Sequence, residues 1–372
     1  MLTYRFASVG LLVVCVAVVL CSSAPVRGTE EEYEVLPEVA YPCWSPDGAH
    51  IAFESDRESG NKNIWFVHPD GTGLQRITDD PGADFNPKWA PDSQSLYFLS
   101  NRTGNVRLWR RNLVTGQETK AIESALGDYA VSHSGSEIIV DTTRGHDWGL
   151  IVVSANTGTE LRWLAVDGYV PAWSPDDTEA TFFRKRNVWA RSAIDRSNLR
   201  QLTHFTADER LMGTTLDWGP QSFIVFDVDG KIYRVRPDGT DLTCLFQDAG
   251  NWAESPCWSL DGLKIAFVLT QDAPEIHTIN ADGSALTQVT HTVATPTFHP
   301  DGGTYTSPQQ VTITCATSGH TIRYTTDGSD PTESSTEYTT PVTISEATTL
   351  KAKAWKTDYF PSCTKIGEYI IE

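Results

Sequence analysis

A segment of 40 to 45 residues recurs six times in this chain, and this repeat constrains the fold more than any other feature. The fullest copy starts at Pro42 with the letters PCWSPDG, followed by IAF and SDR. Equivalent positions are spaced 45, 42, 42, 45 and 40 residues apart. They are Trp44, Trp89, Val131, Trp173, Trp218 and Trp258.

Each copy holds four short runs rich in β-branched and aromatic residues, separated by Asp-Gly, Pro-Asp or Asn/Thr-Gly turns. Such runs are typical of strands joined by hairpins. A period of about 40–45 residues with four strands is typical of a propeller blade. The sequence therefore predicts an all-β chain with a six-bladed β-propeller over residues 33–291.

The recurring letters WSPDG, followed by IAF and SDR, resemble the WD-like repeat of TolB-type propellers. The resemblance covers about 260 residues. It implies the fold and a tendency to bind partners, and it brings no catalytic residue with it.

The repeat tryptophans lie on the predicted innermost strands, where large flat side chains pack well between blades. We interpret them as structural wedges; stacking platforms for sugars are the alternative. They are Trp44, Trp89, Trp173, Trp218 and Trp258.

The alternation of strands places the inter-blade links and the turns between second and third strands on one rim. Acids of the links are predicted to surround the channel mouth there, with arginines further out, because loops from several blades converge at such mouths. The alternative is that the acids only keep this rim solvated. The acids are Glu38, Asp84, Asp128, Asp167 and Glu254, and the arginines are Arg57, Arg102, Arg144 and Arg184.

Residues 296–372 differ in composition from the repeats: they are poor in tryptophan and rich in threonine. Their order of strands and the letters YTTDGSDPT, from Tyr324, resemble the C-terminal β-sandwich module of chitobiase-type hexosaminidases. That module is an immunoglobulin-like accessory domain, so the resemblance implies a sandwich and no sugar-cleaving carboxylates.

Residues 1–28 have the pattern of a cleaved signal peptide: Arg5 without nearby acids, an apolar run over 9–20 and small residues after it. A membrane anchor is the alternative, although the run is shorter than the roughly 20 residues of a spanning helix. A lipid anchor on Cys21 is a second alternative. We expect a secreted, periplasmic or cell-surface protein without a transmembrane span.

Export permits disulfide bonds. Cys315 and Cys363 are the only cysteines of the predicted sandwich, and we expect a disulfide between them. Cys43 and Cys257 occupy the same place in the first and last repeats, so a closed ring would make them neighbours. They are interpreted either as a disulfide across the seam or as buried thiols, and Cys244 is expected to be buried.

The chain carries 29 basic and 48 acidic residues, a net charge of −19. This balance disfavours nucleic acid and anionic lipid as partners, because both are bound through Lys and Arg. It suits a soluble protein, cations or a basic partner, and we expect a monomer.

The sequence lacks a Gly-x-Ser-x-Gly elbow, a His-Glu-x-x-His motif and a phosphate-binding glycine loop, and nothing indicates a metal or cofactor. We therefore predict a non-enzymatic protein whose propeller rim holds a protein or peptide. One alternative is a polysaccharide-binding protein that uses outlying aromatic residues, namely Trp148, Trp163, Tyr169 and Trp252. The other is a propeller lyase or hydrolase that acts on polysaccharide.

Overall fold

A computed structural model of the protein describes residues 38–57, 60–123, 127–144, 147–206, 214–270 and 274–372, without the side chains of residues 144 and 147. The predicted signal segment and Cys21 lie outside these ranges. The described residues form β-strands and no helix, which confirms the all-β prediction. Within them, no helix is available to cross a membrane.

Six four-stranded antiparallel sheets follow one another along the chain, one for each repeat. The first is β1 Val39–Trp44, β2 Ile51–Ser55, β3 Asn63–Val67 and β4 Gln75–Arg76; the second is β5 Asp84–Trp89, β6 Ser95–Ser100, β7 Arg107–Asn112 and β8 Glu118–Ile122. The third is β9 Tyr129–Val131, β10 Glu137–Arg144, β11 Asp147–Ser154 and β12 Glu160–Val166; the fourth is β13 Tyr169–Trp173, β14 Glu179–Arg184, β15 Asn187–Ser192 and β16 Arg200–Gln201. The fifth is β17 Leu216–Trp218, β18 Ile224–Val228, β19 Lys231–Val235 and β20 Thr243–Phe246; the sixth is β21 Trp252–Trp258, β22 Lys264–Thr270, β23 Pro274–Asn280 and β24 Thr287–Gln288.

The first strands of the six sheets contact one another in chain order, and β21 of the last sheet contacts β1 of the first. One buried cluster joins these two sheets, with Val39 and Phe53 packed among Ala266, Val268 and Ile276. Every strand of both sheets comes from its own continuous segment, so no strand is exchanged across this seam.

The turn between the first two strands follows from its Asp side chain. In the first sheet, Asp47 Oδ1 accepts hydrogen bonds from Ser45 Oγ at 2.6 Å and from Ala49 N–H at 3.0 Å, while Gly48 takes a φ of 73°. A short polar side chain that bonds the backbone two residues on holds such a turn without any metal.

Four first strands carry a bulge at the residue before proline. Tyr41, Asn86, Val170 and Ser255 all have φ between 51° and 57°, and the strand register shifts at each of them. A positive φ is costly for a non-glycine residue, above all for β-branched Val170. The same local strain therefore recurs around the central channel.

The five repeat tryptophans are all buried, with 3–8% of their surface exposed. The indole N–H of Trp89 donates to the Cys43 carbonyl at 3.0 Å, and that of Trp173 donates to the Ala130 carbonyl at 3.1 Å. Each of these two indoles is thus bonded to the first strand of the preceding sheet.

The C-terminal domain consists of two packed sheets. One has the order β25-β27-β30 and the other β26-β32-β31-β28-β29. The strands are β25 Thr297–His299, β26 Gly303–Tyr305, β27 Gln309–Thr314, β28 Thr321–Thr325, β29 Thr336–Glu337, β30 Val342–Ile344, β31 Thr348–Trp355 and β32 Lys365–Ile371. Alternate β31 residues Leu350, Ala352 and Ala354 enter the core between the sheets.

Phe360 of the C-terminal domain inserts into the seam cluster of the first and sixth sheets. It is fully buried, and its ring centroid lies 5.2 Å from that of Trp65. The Arg57 guanidinium lies over the same ring and forms a buried ion pair with Glu275 at 2.7 Å. The C-terminal domain is therefore packed directly on both sheets at the seam.

The expected Cys315–Cys363 disulfide is not formed, and neither is a disulfide across the seam, among the described cysteines. The Cys315 thiol donates to the Ala294 carbonyl at 3.1 Å, which directs its sulfur toward the backbone. No disulfide joins it to Cys363. Cys43 and Cys257 are neighbours across the seam, and both remain thiols. The prediction that Cys244 is buried is wrong, because it lies on the outermost strand β20, where it is exposed.

Candidate functional site

Acidic side chains from several sheets converge at the end of the channel where the first strands begin. Tyr41, at the bulge of β1, lies near Glu54, Asp128, Asp227 and Glu254. Burial and these four carboxyls all raise the pKa of Tyr41. Together with Glu38, the four carboxyls form what we call the acidic mouth.

Lysine and backbone donors hold part of this cluster in place. Lys62 Nζ lies 2.5 Å from Glu38 Oε2 and 2.8 Å from Glu54 Oε1. The bulged Asn86 donates its backbone N–H to Glu54 Oε2 at 2.6 Å and its side-chain amide to Asp128 Oδ1 at 2.7 Å. The strain at Asn86 therefore positions two carboxylates at once.

The remaining two carboxyls, those of Asp227 and Glu254, form no ion pair among the described residues. Burial raises the pKa of Asp227 to about 6, although Thr214 and Thr215 donate to it. Burial, then Asp227 and Glu38, raise the pKa of Glu254 to about 7. Among the described residues, none donates a hydrogen bond to the Glu254 carboxyl. The acidic mouth thus has an excess of negative charge and one carboxyl free to accept a cationic group.

Other predicted rim residues lie elsewhere or are already paired. Asp84 is fully buried, and both its oxygens accept from Arg102, which also pairs with Glu118 inside the second sheet. Arg57 lies at the seam, bound to Glu275. Both arginines are thus engaged inside the fold and unavailable on the rim.

Two more rim residues, Arg184 and Asp167, show no contact with the acidic mouth, and a third, Arg144, is described only in its backbone. The Arg184 guanidinium lies 5.4 Å from the Trp189 ring centroid. Asp167 is exposed on the same end of the channel, where its N–H donates to the Trp148 carbonyl. The backbone of Arg144 ends β10, and its side chain lies outside the described residues. The structure therefore brings together Glu38, Asp128 and Glu254, but not Arg57, Arg102 or Arg184.

Sequence reasoning missed Tyr41, Glu54, Lys62 and Asp227. A signal for the two acids was present, since each is a lone carboxylate within an apolar second strand, IAFES for Glu54 and IVFDV for Asp227. Both second strands are buried throughout. A buried acid in such a strand must be paired or have a shifted pKa, and both effects are seen here.

Two tryptophans are exposed at the same end of the channel. Trp148 is 41% exposed, and Trp252 is 50% exposed. Trp252 packs against Gly230 in the turn between β18 and β19. Exposed indole rings next to acids suit either cationic groups or sugar rings.

The opposite end of the channel opens into a cavity of about 410 Å³. All six sheets line it, with the five repeat tryptophans on its wall and Lys88, His133 and Asp217 among its polar groups. The two ends thus differ, one being acidic and the other mainly apolar. Among the described residues, no group of three or more His, Cys, Asp or Glu side chains is arranged to hold a metal ion.

Two family models match the chain. The TolB beta propeller domain matches residues 34–210, and the chitobiase/beta-hexosaminidase C-terminal domain matches residues 300–365. The structure is similar to that of a putative TolB from Agrobacterium tumefaciens, with a TM-score of 0.51 and 20% identity over 58% of this chain and 84% of that one. At this identity the likeness shows the fold alone.

Curated relatives align over shorter stretches. The uncharacterized peptidase YuxL of Bacillus subtilis is 29% identical over 36% of this chain and 20% of its own length. A TolB homolog of Chlorobium luteolum is 35% identical over 20% of this chain and 17% of its own. The chain thus spans about a fifth of either relative or less. From its sequence and its sheets, this protein carries a TolB-type β-propeller region over residues 34–210, followed by a chitobiase/β-hexosaminidase C-terminal domain over residues 300–365.

Proposed function

We propose that this protein is an exported, non-catalytic binding module whose propeller holds a basic segment of a protein or peptide partner at the acidic mouth. The observation that carries this proposal is the convergence of four carboxyls around Tyr41, with Glu38 joined to this group through Lys62. Converging carboxylates at a concave mouth attract cations and disfavour anions.

The ligand class follows from which charges remain available. Arg57 and Arg102 are engaged in ion pairs, so they do not offset the acids of the rim. Glu254 accepts no hydrogen bond from the described residues, and a lysine or arginine of the partner would supply one. A charge-assisted bond of this kind is about twice as strong as a neutral one.

The proposal is tested by titrating the protein with short Lys/Arg-rich peptides and with Glu-rich peptides of the same length. The double substitution Glu38→Gln and Glu254→Gln is expected to weaken binding of the basic peptides at least tenfold, about 1.4 kcal/mol. Glu333→Gln with Glu346→Gln, two exposed acids of the sandwich, also removes two carboxyls and should leave affinity within about twofold. Equal affinities for the two double variants would rule the acidic mouth out as the binding site.

The pH dependence provides an independent test. Because the pKa of Glu254 is about 7, its carboxyl gains charge between pH 6 and 8. Affinity for a basic peptide should therefore rise over this interval in the native chain, and the rise should be smaller in Glu254→Gln. A native profile that is flat or falls across the interval contradicts the proposal.

Exposed Trp148 and Trp252 favour a second candidate, a carbohydrate-binding role at the same end of the channel. Sugar rings stack on such indoles through their apolar faces. A glycan array with the native chain and with Trp148→Ala and Trp252→Ala separates the two candidates. Glycan binding that depends on these tryptophans, without binding of basic peptides, would favour the second.

A further inference from the structure

The residues that immediately precede the six equivalent repeat positions form a ring around the channel. In chain order the members of this channel ring are Cys43, Lys88, Ala130, Ala172, Asp217 and Cys257, and all six line the cavity of about 410 Å³. Because the first strands contact one another in order and β21 contacts β1, the four non-alanine members are consecutive around the ring. Their order is Lys88, Cys43, Cys257, Asp217.

The two cysteines lie in matching positions on neighbouring strands. Cys43 pairs with Ala52 in the first sheet, and Cys257 pairs with Ala266 in the sixth. The Trp44 backbone N–H lies 3.4 Å from the Cys257 sulfur, so this sulfur lies beside the residue that follows Cys43. Each thiol donates to the carbonyl of the tryptophan that follows it, at 3.8 Å for Cys43 and 3.5 Å for Cys257. The two thiols therefore lie side by side across the seam.

The neighbours of the two thiols carry opposite charges. The adjacent Cys257 thiol, together with the Lys88 ammonium, outweighs burial and lowers the pKa of the Cys43 thiol. The adjacent Cys43 thiol, then burial, then the Asp217 carboxylate raise the pKa of the Cys257 thiol. A nucleophilic thiol beside a protonated one is the arrangement of a reactive pair in thiol–disulfide exchange.

We propose that Cys43 and Cys257 are a redox-active pair that exchanges with a small disulfide entering through the tryptophan-lined cavity. The Cys43 thiolate attacks one sulfur of the disulfide RSSR, forming a mixed disulfide and releasing one RS⁻. The Cys257 thiolate, formed by loss of its proton, then attacks the Cys43 sulfur and releases the second RS⁻. Two protons from the cysteines convert both leaving groups to RSH, and two electrons pass to the oxidant.

The product would join the first and last sheets covalently at the seam. No strand is exchanged between those sheets, so the seam is held by packing, by the Arg57–Glu275 ion pair and by the C-terminal domain. A crosslink that spans five repeat lengths removes much conformational freedom from the unfolded chain. Oxidation should raise the Tm by something on the order of 10 °C.

The experiment treats the folded full chain with glutathione disulfide, alkylates the remaining thiols and maps the peptides by mass spectrometry without reduction. A peptide linking Cys43 to Cys257 is expected, together with a Tm increase that dithiothreitol reverses. Failure of the linked peptide to form in the folded chain, while Cys244 on the surface forms an adduct, overturns the proposal.

Variants test the order of attack. Cys257→Ala should accumulate a glutathione adduct on Cys43, because the second thiol is absent, whereas Cys43→Ala should form an adduct on Cys257 more slowly. Lys88→Met should slow the first step at least severalfold, since it removes the neighbouring ammonium, and Cys244→Ser should change nothing. Faster modification of Cys257 than of Cys43 contradicts the assigned roles. The peptide map of the native chain decides the main question even where a variant fails to fold.

Discussion

At the residue scale, Glu254 couples the charge of the acidic mouth to the stability of the fold. Its pKa is about 7 in the folded protein because of burial and neighbouring acids, whereas an unfolded glutamate has a pKa near 4.3. The folded state therefore holds this proton more tightly. The resulting stability is fully present below about pH 4 and is lost as the pH rises through 7.

Glu254→Gln should consequently stabilise the protein at pH 8 by up to roughly 3 kcal/mol and change little at pH 4. Urea unfolding at both pH values measures the difference. Exposed Glu346→Gln serves as the control, and we expect it to shift stability by less than about 0.5 kcal/mol at either pH. A Glu254→Gln variant that is less stable at pH 8 than the native chain would mean that the carboxylate has a stabilising partner.

At the element scale, the wedge tryptophans differ in their hydrogen bonding although the repeat makes them equivalent. Trp173 donates to the Ala130 carbonyl of the preceding sheet, whereas the buried indole N–H of Trp218 has no acceptor among the described residues. The two are similarly buried, at 3% and 5% exposure. Substitution by phenylalanine removes similar volumes at both positions, so the hydrogen bond is the main difference between them.

Trp173→Phe should therefore destabilise the protein by about 1 kcal/mol more than Trp218→Phe, because it leaves a buried carbonyl without its donor. Chemical denaturation of the two variants side by side gives this difference directly. Equal losses would indicate that the wedges act through buried area alone.

The strands themselves follow from local sequence, but the partners of charged residues do not. Runs such as IAF and the turn at Asp47 fix strand and hairpin positions, because burial alternation and turn chemistry act over a few residues. The Asp84–Arg102 pair spans 18 residues and the Arg57–Glu275 pair spans 218. These long-range pairings determine which acids remain available at the acidic mouth. The sequence does not show them, so it predicts a rim of acids and arginines, whereas only some of the acids converge.

At the scale of the whole molecule, the C-terminal domain is part of the seam that joins the first and last sheets. Phe360 is fully buried between Trp65 and Phe53, and Arg57 reaches across its ring to Glu275 on β23. Phe360 also donates its backbone N–H to the His291 carbonyl, which ties the chain between the domains to the same point. We infer that the sandwich stabilises the contact between the first and last sheets of the propeller.

Phe360→Ala should accordingly destabilise the propeller at its seam by about 3–5 kcal/mol, since it empties a site packed by aromatic rings from the first sheet. Native-state hydrogen exchange is expected to speed up in β1–β3 and β22–β23 while β13–β15 of the fourth sheet stay protected. Ile344→Ala, in the core of the sandwich itself, is the matched control and should speed exchange mainly in β27 and β30. If Phe360→Ala instead loosened only the sandwich, the two domains would be merely adjacent. In the expected pattern, protection is lost mainly in the first and sixth sheets, which lie about 200 residues apart in sequence. This pattern requires that the C-terminal domain holds these two sheets of the propeller together.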